Sequence, residues 1–188
     1  MRKLVLFAHI SLDGFAGDVH GGLDFLSYNE ELQQFADDLV QTVGAPLYGK
    51  NTYHLMQGYW PTVLTNPTAT PQALAHARWV QEIPKIVFST TLPSAGWNNT
   101  TLVKDKVVEE VNKLKQQPGK DLVVFGSPGL SKSLMNLGLV DEYKLTLHPV
   151  LLGEGISLFD GSTRRSNLKL LASKTLGSGV IILHYGAR

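Results

Sequence analysis

The segment Leu122–Leu134 constrains the fold more than any other. Leu122, Val123, Val124 and Phe125 form an unbroken apolar run that stops at Gly126. Ser127, Pro128 and Gly129 follow, and then Leu130, Leu134, Leu137 and Leu139 recur near helical spacing. A buried strand, a tight turn and the start of a helix account for this order of residues. Such a junction turns free backbone N–H groups outward at the positive end of a helix dipole, a ready seat for an anion such as a phosphate. Pro128 suits the first helical position, where its missing N–H costs nothing. Gly126 to Ser133 reads G-x-x-x-x-S-K-S, a near match to a P-loop with Ser131 in place of the second glycine. No strand ending in Asp accompanies it, so a P-loop enzyme is disfavoured. The G-x-G-x-x-G fingerprint of an ordinary dinucleotide fold is absent as well.

The same grammar recurs along the chain. Residues 3–10 read as a buried central strand and residues 11–28 as a long loop. Asn29 caps a helix to about Val43, with Leu32, Phe35, Ala36, Leu39, Val40 and Val43 on one face. Ala45–Tyr48 is a second strand, followed by Gly49-Lys50-Asn51-Thr52 and a short helix from Thr52 to Gln57. Residues 58–70, with Gly58, Pro61 and Pro67, read as irregular. A helix over Pro71–Glu82, a strand over Lys85–Ser89, a loop over Thr90–Asn99 and a short strand over Thr101–Val103 come next. A helix from Asp105 to about Gln117 turns Val107, Val108, Val111 and Leu114 inward, and Pro118-Gly119 stops it. After Gly138 the pattern changes. Asp141–His148 alternates like a strand, and Gly177-Ser178-Gly179 joins strands over Leu168–Leu176 and Val180–Tyr185 into a hairpin. The expectation is an α/β fold: one domain over residues 1–188, a mostly parallel sheet, and antiparallel strands at an edge.

Composition narrows function by exclusion. The 188 residues carry a formal net charge of +1 with no like-charge run, which argues against nucleic acid or an anionic membrane as partner. Cysteine is absent, which removes disulfides, thiolate metal sites and cysteine nucleophiles and fits a reducing, cytoplasmic setting. The apolar run at Leu4–Ala8 is too short for a signal peptide, so the sequons at Asn98 and Asn99 read as chance matches. The six histidines show no H-x-x-x-H or H-E-x-x-H spacing, so no metal site is expected. No G-x-S-x-G elbow is present, so a hydrolase is disfavoured.

What remains is three strand ends that open into small polar loops: Gly49-Lys50-Asn51-Thr52, Ser89-Thr90-Thr91 and Gly126-Ser127-Pro128-Gly129. Ligands of open α/β sheets sit beyond such carboxyl ends. His9, in a buried strand, reads as a hydrogen-bonded core residue. Asp13 reads as a turn cap. Asp24, beside Phe25 and Leu26, is the candidate proton donor or substrate anchor, on the expectation that burial raises its pKa. Trp60 and Trp97 read as packing residues.

Six segments in this order carry a family resemblance. They are Ile10-Ser11-Leu12-Asp13-Gly14, Leu23-Asp24-Phe25-Leu26, Tyr48-Gly49-Lys50-Asn51-Thr52-Tyr53, Val87-Phe88-Ser89-Thr90-Thr91-Leu92, Val124-Phe125-Gly126-Ser127-Pro128-Gly129 and His148-Pro149-Val150-Leu151-Leu152-Gly153-Glu154-Gly155. The chain resembles the dihydrofolate reductase-like superfamily, in the branch of the C-terminal reductase domain of bacterial riboflavin biosynthesis. The resemblance implies a three-layer α/β/α fold, NADPH as reductant, a homodimer, and hydride transfer to a pterin-like, pyrimidine-like or carbonyl substrate. It is similar in this to 5-amino-6-(5-phosphoribosylamino)uracil reductase. By the same resemblance, Gly49, Lys50, Asn51 and Thr52 hold the pyrophosphate together with Gly126, Ser127, Pro128, Gly129, Leu130 and Ser131. Ser89 and Thr90 lie near the adenosine 2′-phosphate, and Ala8, His9 and Ile10 border the nicotinamide. The substrate then sits against Asp13, Asp24, Trp60, Leu152 and Gly153. The family commonly has arginine after the glycine of the second-strand motif, where this chain has Lys50 and then Asn51, and often after the serine of the third-strand motif, where it has Thr90; lysine grips phosphate without arginine's fork. These departures keep open an alternative, a non-catalytic nucleotide-binding dimer on the same fold.

Overall fold

The computed structural model describes every residue except Ser162. Eight strands form one sheet in the order β4-β3-β2-β5-β1-β6-β8-β7. They are β1 (Leu4–Ser11), β2 (Val43–Gly49), β3 (Lys85–Phe88), β4 (Thr100–Val103), β5 (Asp121–Phe125), β6 (Glu142–His148), β7 (Leu168–Thr175) and β8 (Ile181–Ala187). The helices are α1 (Glu30–Thr42), α2 (Lys50–Val63), α3 (Pro71–Glu82), α4 (Val107–Gln116) and α5 (Pro128–Asn136). The first six strands run parallel, β1 lying between β5 and β6. β8 is antiparallel to β6, and β7 is antiparallel to β8. This is the mixed α/β sheet expected from the sequence, with one difference: β6 belongs to the parallel part.

The apolar run of β1 explains the layers. Side chains alternate across a strand, so a strand buried on both faces is apolar throughout. Leu4, Leu6, Ala8 and Ile10 face one layer with Val111 of α4 and Leu134 of α5. Val5 and Phe7 face the other with Leu39 of α1. Tyr48 and Val87 extend that second face under α2 and α3 with Tyr53 and Val80. Leu4, Leu6, Leu122 and Leu134 are fully buried, each contributing about 2 kcal/mol of transfer free energy. Among the described residues, no helix is long and apolar enough to cross a membrane.

Local chemistry sets the helix ends. The Asn29 side chain accepts from the Leu32 N–H at 2.9 Å and Thr70 accepts from Ala73 at 3.2 Å, so α1 and α3 carry ordinary N-caps. Val43, expected as the last inward residue of the first helix, instead adopts extended geometry and opens β2. α2 runs through Gly58 and Pro61 to Val63, where an irregular segment was expected. Pro61 falls in the last turn, where its missing N–H leaves the Gln57 carbonyl without its usual helical donor only a few residues from the helix end, and the Cβ position of Gly58 meets nothing. In α4, Val108 is exposed while Lys115 is buried, its ammonium 2.6 Å from the Leu139 carbonyl and 2.6 Å from Asp141. Periodicity counted the valine and missed the lysine, whose long apolar stem fills the inner position.

Candidate active site

Two glycine turns, at the ends of β2 and β5, meet side by side. Gly126 and Ser127 both take left-handed conformations, with φ of 54° and 46°. Glycine does so freely, whereas serine pays about 1 kcal/mol. Four hydrogen bonds hold the strained pair. The Gly126 N–H donates to the Phe7 carbonyl at 2.8 Å, and the Ser131 hydroxyl donates to the Gly126 carbonyl at 2.6 Å. The Ser131 N–H donates to the Ser127 carbonyl at 2.8 Å, and the Ser127 hydroxyl oxygen accepts from the Gly49 N–H at 3.1 Å. Because Ser127 reaches sideways to Gly49, it does not cap its own helix, and α2 has no side-chain cap either. The first-turn N–H groups of Lys50, Asn51 and Thr52, and of Gly129 and Leu130, therefore lack helical partners. A Cβ at Gly126 or Gly129 would meet nothing within 4 Å. These donors form an open shelf. Lys50 spans it, its ammonium donating to the Thr91 hydroxyl at 3.2 Å.

Immediately beside the shelf, on the α1–α2–α3 face, lies a cavity of about 380 Å³. Tyr48 and Phe125, the residues just before Gly49 and Gly126, line it together with Phe7 and His9 of β1. Helices α2 and α3 close it with Met56, Tyr59, Trp60, His76 and Trp79, and α1 closes it with Gln33, Ala36 and Val40. The rings form a continuous series. Trp60 stacks on His76 at 4.3 Å between centroids, His76 meets Trp79 at 5.2 Å and Trp79 meets Phe125 at 6.5 Å. Phe125 meets Phe7 at 5.8 Å, and Phe7 meets His9 at 4.9 Å. No Lys, Arg, Asp or Glu is among the lining residues. On the α1 side the Tyr28 hydroxyl donates to Gln33 at 2.9 Å, and Gln33 donates in turn to Asp37 at 2.8 Å.

The hydrogen-bond network fixes the proton order at the inner wall. The Ser27 N–H donates to His148 Nδ1 at 3.2 Å, so that nitrogen carries no proton and His148 is the neutral Nε2–H tautomer. His148 Nε2 lies 3.2 Å from Thr146 Oγ1 and donates to it. The Thr146 hydroxyl then spends its own proton on His9 Nδ1, 2.6 Å away. His9 is left with its proton on Nε2, in a ring that lines the cavity. The electrostatics agree. Burial, helped by the neighbouring His148, pushes the His9 pKa down to about 4, and burial lowers that of His148. Burial also lowers His76, against the opposing pull of Asp37. Tyr48 is 2% exposed and burial raises its pKa, so its phenol stays protonated. Its hydroxyl makes no hydrogen bond to any described residue.

This arrangement has known relatives. The RibD C-terminal domain family matches residues 2–182. The chain belongs to that family. The uncharacterized protein YyaP of Bacillus subtilis (strain 168) is 36% identical over 186 residues, covering 98% of this chain and 94% of YyaP. The crystal structure of a putative riboflavin biosynthesis protein from Shewanella sp. PV-4 superposes with a TM-score of 0.78 at 21% identity, covering 99% of each chain. Dihydrofolate reductase from Enterococcus faecalis, solved in complex with NADP(H), matches with a TM-score of 0.61 at 16% identity over 99% of this chain and 96% of that one. The two structures show the dihydrofolate reductase-like fold, and the family is one of reductase-type domains.

Within this RibD C-terminal domain, the residues singled out from sequence separate into three groups. Gly49, Lys50, Asn51, Thr52, Gly126, Ser127, Pro128, Gly129 and Leu130 come together at the shelf, with Pro128 at the helix start as expected. Ser89 and Thr90 follow β3 nearby; the Ser89 hydroxyl oxygen accepts from the Leu92 N–H at 3.0 Å and so closes its own turn. Two corrections fall here. Ser131 is fully buried with its hydroxyl on the Gly126 carbonyl, so it braces the turn and offers nothing to a ligand. Ala8 and Ile10 point into the opposite layer, because strand neighbours alternate; of the three β1 candidates only the His9 side chain reaches the cavity. The P-loop reading, disfavoured in the sequence for want of a strand ending in Asp, meets a further obstacle in the structure: the Lys132 ammonium pairs with Asp160.

The third group holds the larger corrections. Asp24 is exposed on the tip of a turn closed by the Leu26 N–H to the Leu23 carbonyl at 3.1 Å, outside the cavity. Its neighbour Phe25 takes the buried direction, packing on His148 at 5.7 Å. The burial argued for Asp24 is therefore absent. Asp13, Leu152 and Gly153 do meet, as a latch: the Asp13 carboxylate accepts from the Leu152 and Gly153 N–H groups at 3.2 and 2.8 Å and from Ser11 at 2.6 Å. These contacts lower the Asp13 pKa, Ser11 foremost. None of the three lines the cavity. Trp60 does, while Trp97 is the packing residue expected of it. Sequence reading missed Tyr48, Gln33, His76, Trp79 and Phe125 as site residues. The available signal was the placing of Gln33 and His76 on inward helix faces where a plain core wants aliphatic residues.

Proposed function

We propose that this chain is an NADPH-dependent reductase of a small heterocyclic or carbonyl substrate. One observation carries the reading: two uncapped helix N-termini, locked together by Ser127, open directly beside an aromatic cavity that shares their strands. The donors suit a pyrophosphate. The first-turn N–H groups of α2 and α5 would hold it, Lys50 would add charge, and the open space before Gly126 and Gly129 leaves room for it. When bound, the cofactor supplies a hydride. The chain's own part is to seat the substrate ring in the cavity, exclude water with the aromatic series, and present protons from Tyr48 and His9 Nε2. Equilibrium dialysis with NADPH tests this. The expected outcome is saturable binding with a Kd in the micromolar range; no binding at about 1 mM overturns it.

A second reading, a non-catalytic nucleotide-binding protein, draws support from the lack of any carboxylic acid among the cavity-lining residues. It expects NADPH to bind and never to be consumed, whatever pterin, pyrimidine or carbonyl compound is supplied. Substrate-dependent loss of NADPH absorbance that disappears in Gly126→Asp excludes it.

A further inference from the structure

Most of the cavity's unmatched polar groups are donors; His76, kept neutral by burial and without a hydrogen bond to any described residue, adds one donor and one acceptor nitrogen. The Tyr48 hydroxyl, protonated and almost fully buried, has no acceptor among the described residues. His9 has one nitrogen committed to Thr146, and the other, bearing hydrogen, has no partner among the described residues. The Trp79 indole N–H likewise has no acceptor among the described residues. Donors that face an open cavity without a protein acceptor are free to pair with what enters it, and together they outline a complementary partner. Matching acceptors are carbonyl oxygens and ring nitrogens, and the flanking aromatic faces favour a planar ring that carries them.

Charge sets a second condition. No Lys or Arg is among the lining residues, and Gln33 of the α1 wall holds the carboxylate of Asp37. Asp37 is felt at both Tyr28 and His76. A phosphate dianion brought into this space would lose water, find no cation, and face a carboxylate.

Resting on the reductase reading, we infer that the cavity takes an uncharged, planar, acceptor-bearing heterocycle and rejects a phosphorylated ribosyl derivative of such a ring. This separates the chain's substrate class from that of a phosphoribosylaminouracil reductase, which its sequence resembles. Tyr48 and His9 are the residues that select acceptor atoms, and Thr146 and His148 are positioning residues that hold the His9 proton on Nε2.

Trp60 and Trp79 line the cavity and report its occupancy by fluorescence. The probes are lumazine, a neutral pteridinedione, and uridine 5′-phosphate, titrated at one pH and ionic strength with and without NADPH. The expected result is saturable quenching by lumazine below about 1 mM, with uridine 5′-phosphate at least about tenfold weaker. Tyr48→Phe should weaken lumazine about tenfold without lowering Tm, since it removes an unpaired hydroxyl. Ala36→Phe, which fills the space, should abolish the quenching. Equal or tighter binding of uridine 5′-phosphate, no lumazine quenching at about 1 mM, or indifference to both substitutions overturns the inference. NADPH binding without lumazine quenching overturns the inference alone. Lumazine quenching without NADPH binding overturns the reductase reading alone.

Discussion

The shelf and the cavity share strands β2 and β5 yet are built from opposite materials. The shelf offers main-chain N–H groups, fixed by the geometry of two helix starts and open to solvent. The cavity offers side chains, mostly aromatic, drawn from three strands and three helices and closed off from charge. The change of character takes one residue: Tyr48 gives way to Gly49, and Phe125 to Gly126. The difference teaches how a single sheet edge can hold an anion and a neutral ring side by side. Backbone donors serve the charged partner, because helix ends supply positive potential without a side chain. Buried phenol and imidazole serve the neutral one, because they donate without carrying charge.

The comparison can be broken from the cavity side by acid. His9 titrates near 4 in the folded protein and near 6.5 as an ordinary imidazole. As pH falls below 6.5 the unfolded chain takes up the proton first. Stability is therefore full above pH 6.5, declines as pH falls, and is lost by about pH 4, a change of up to about 3 kcal/mol. His148 and His76, also lowered, add loss of the same sign. Urea midpoints measured between pH 4 and 7.5 should trace this slope, and His9→Gln should flatten it. An equally steep decline in the variant would place the acid sensitivity elsewhere.

From the shelf side the sharpest test is Gly129→Asp. The position has open space, and its φ is not in the left-handed region, so the fold should accept the side chain. A carboxylate in the first turn of a helix even favours the dipole. NADPH affinity should fall about 100-fold, or about 2.7 kcal/mol, because the new charge occupies the anion seat. Tm should hold or rise, and quenching by lumazine should persist. Joint loss of both ligands would show that shelf and cavity are one site and not two adjoining ones.

These two tests also mark what could be read in the sequence. The shelf is local: Phe125-Gly126-Ser127-Pro128 and Tyr48-Gly49-Lys50 each announce a strand end, a turn and a helix start within a few residues. The N-cap of α1 at Asn29 and the bounds of α3 are equally local, and the structure has both where they were expected. The cavity is different. Tyr48, Gln33, His76 and Phe125 are far apart in the chain and meet only because β2, β5 and β1 are neighbours and α1 and α3 cover the same face. Periodicity identifies an inward face but does not say whether the space behind it is filled. The proton order through Ser27, His148, Thr146 and His9 likewise depends on β1 pairing in register with β6, His9 beside Thr146. Asp24 shows the converse error. Apolar sequence neighbours suggested burial, but the turn from Leu23 to Leu26 sends adjacent side chains in different directions.

A smaller effect belongs to the link between the two turns. Ser127→Ala removes the acceptor of the Gly49 N–H while leaving the left-handed backbone in place. The cost should be about 1 kcal/mol in stability, read by urea denaturation. NADPH should weaken about threefold to tenfold as the α2 and α5 starts lose their fixed spacing. Lumazine binding should change less, because the side chains that line the cavity take no part in that hydrogen bond. If the cavity ligand weakened as much as the cofactor, the turn pair would be organising both regions.

The smallest expected effect is the most pointed. Asp24→Asn keeps the size of the side chain and deletes its charge. Were Asp24 the proton donor, the substitution would lower NADPH consumption by orders of magnitude in whatever reduction the chain performs. An exposed turn tip outside the cavity predicts no change in turnover, in either ligand's affinity, or in Tm. Tyr48→Phe, measured in parallel, should show the loss that Asp24→Asn does not. A loss confined to Asp24→Asn would mean that the loop of residues 11–28 folds over the cavity when ligands are present, carrying Asp24 in from solvent. The boundary between the two regions would then be set by that loop rather than by the strand ends.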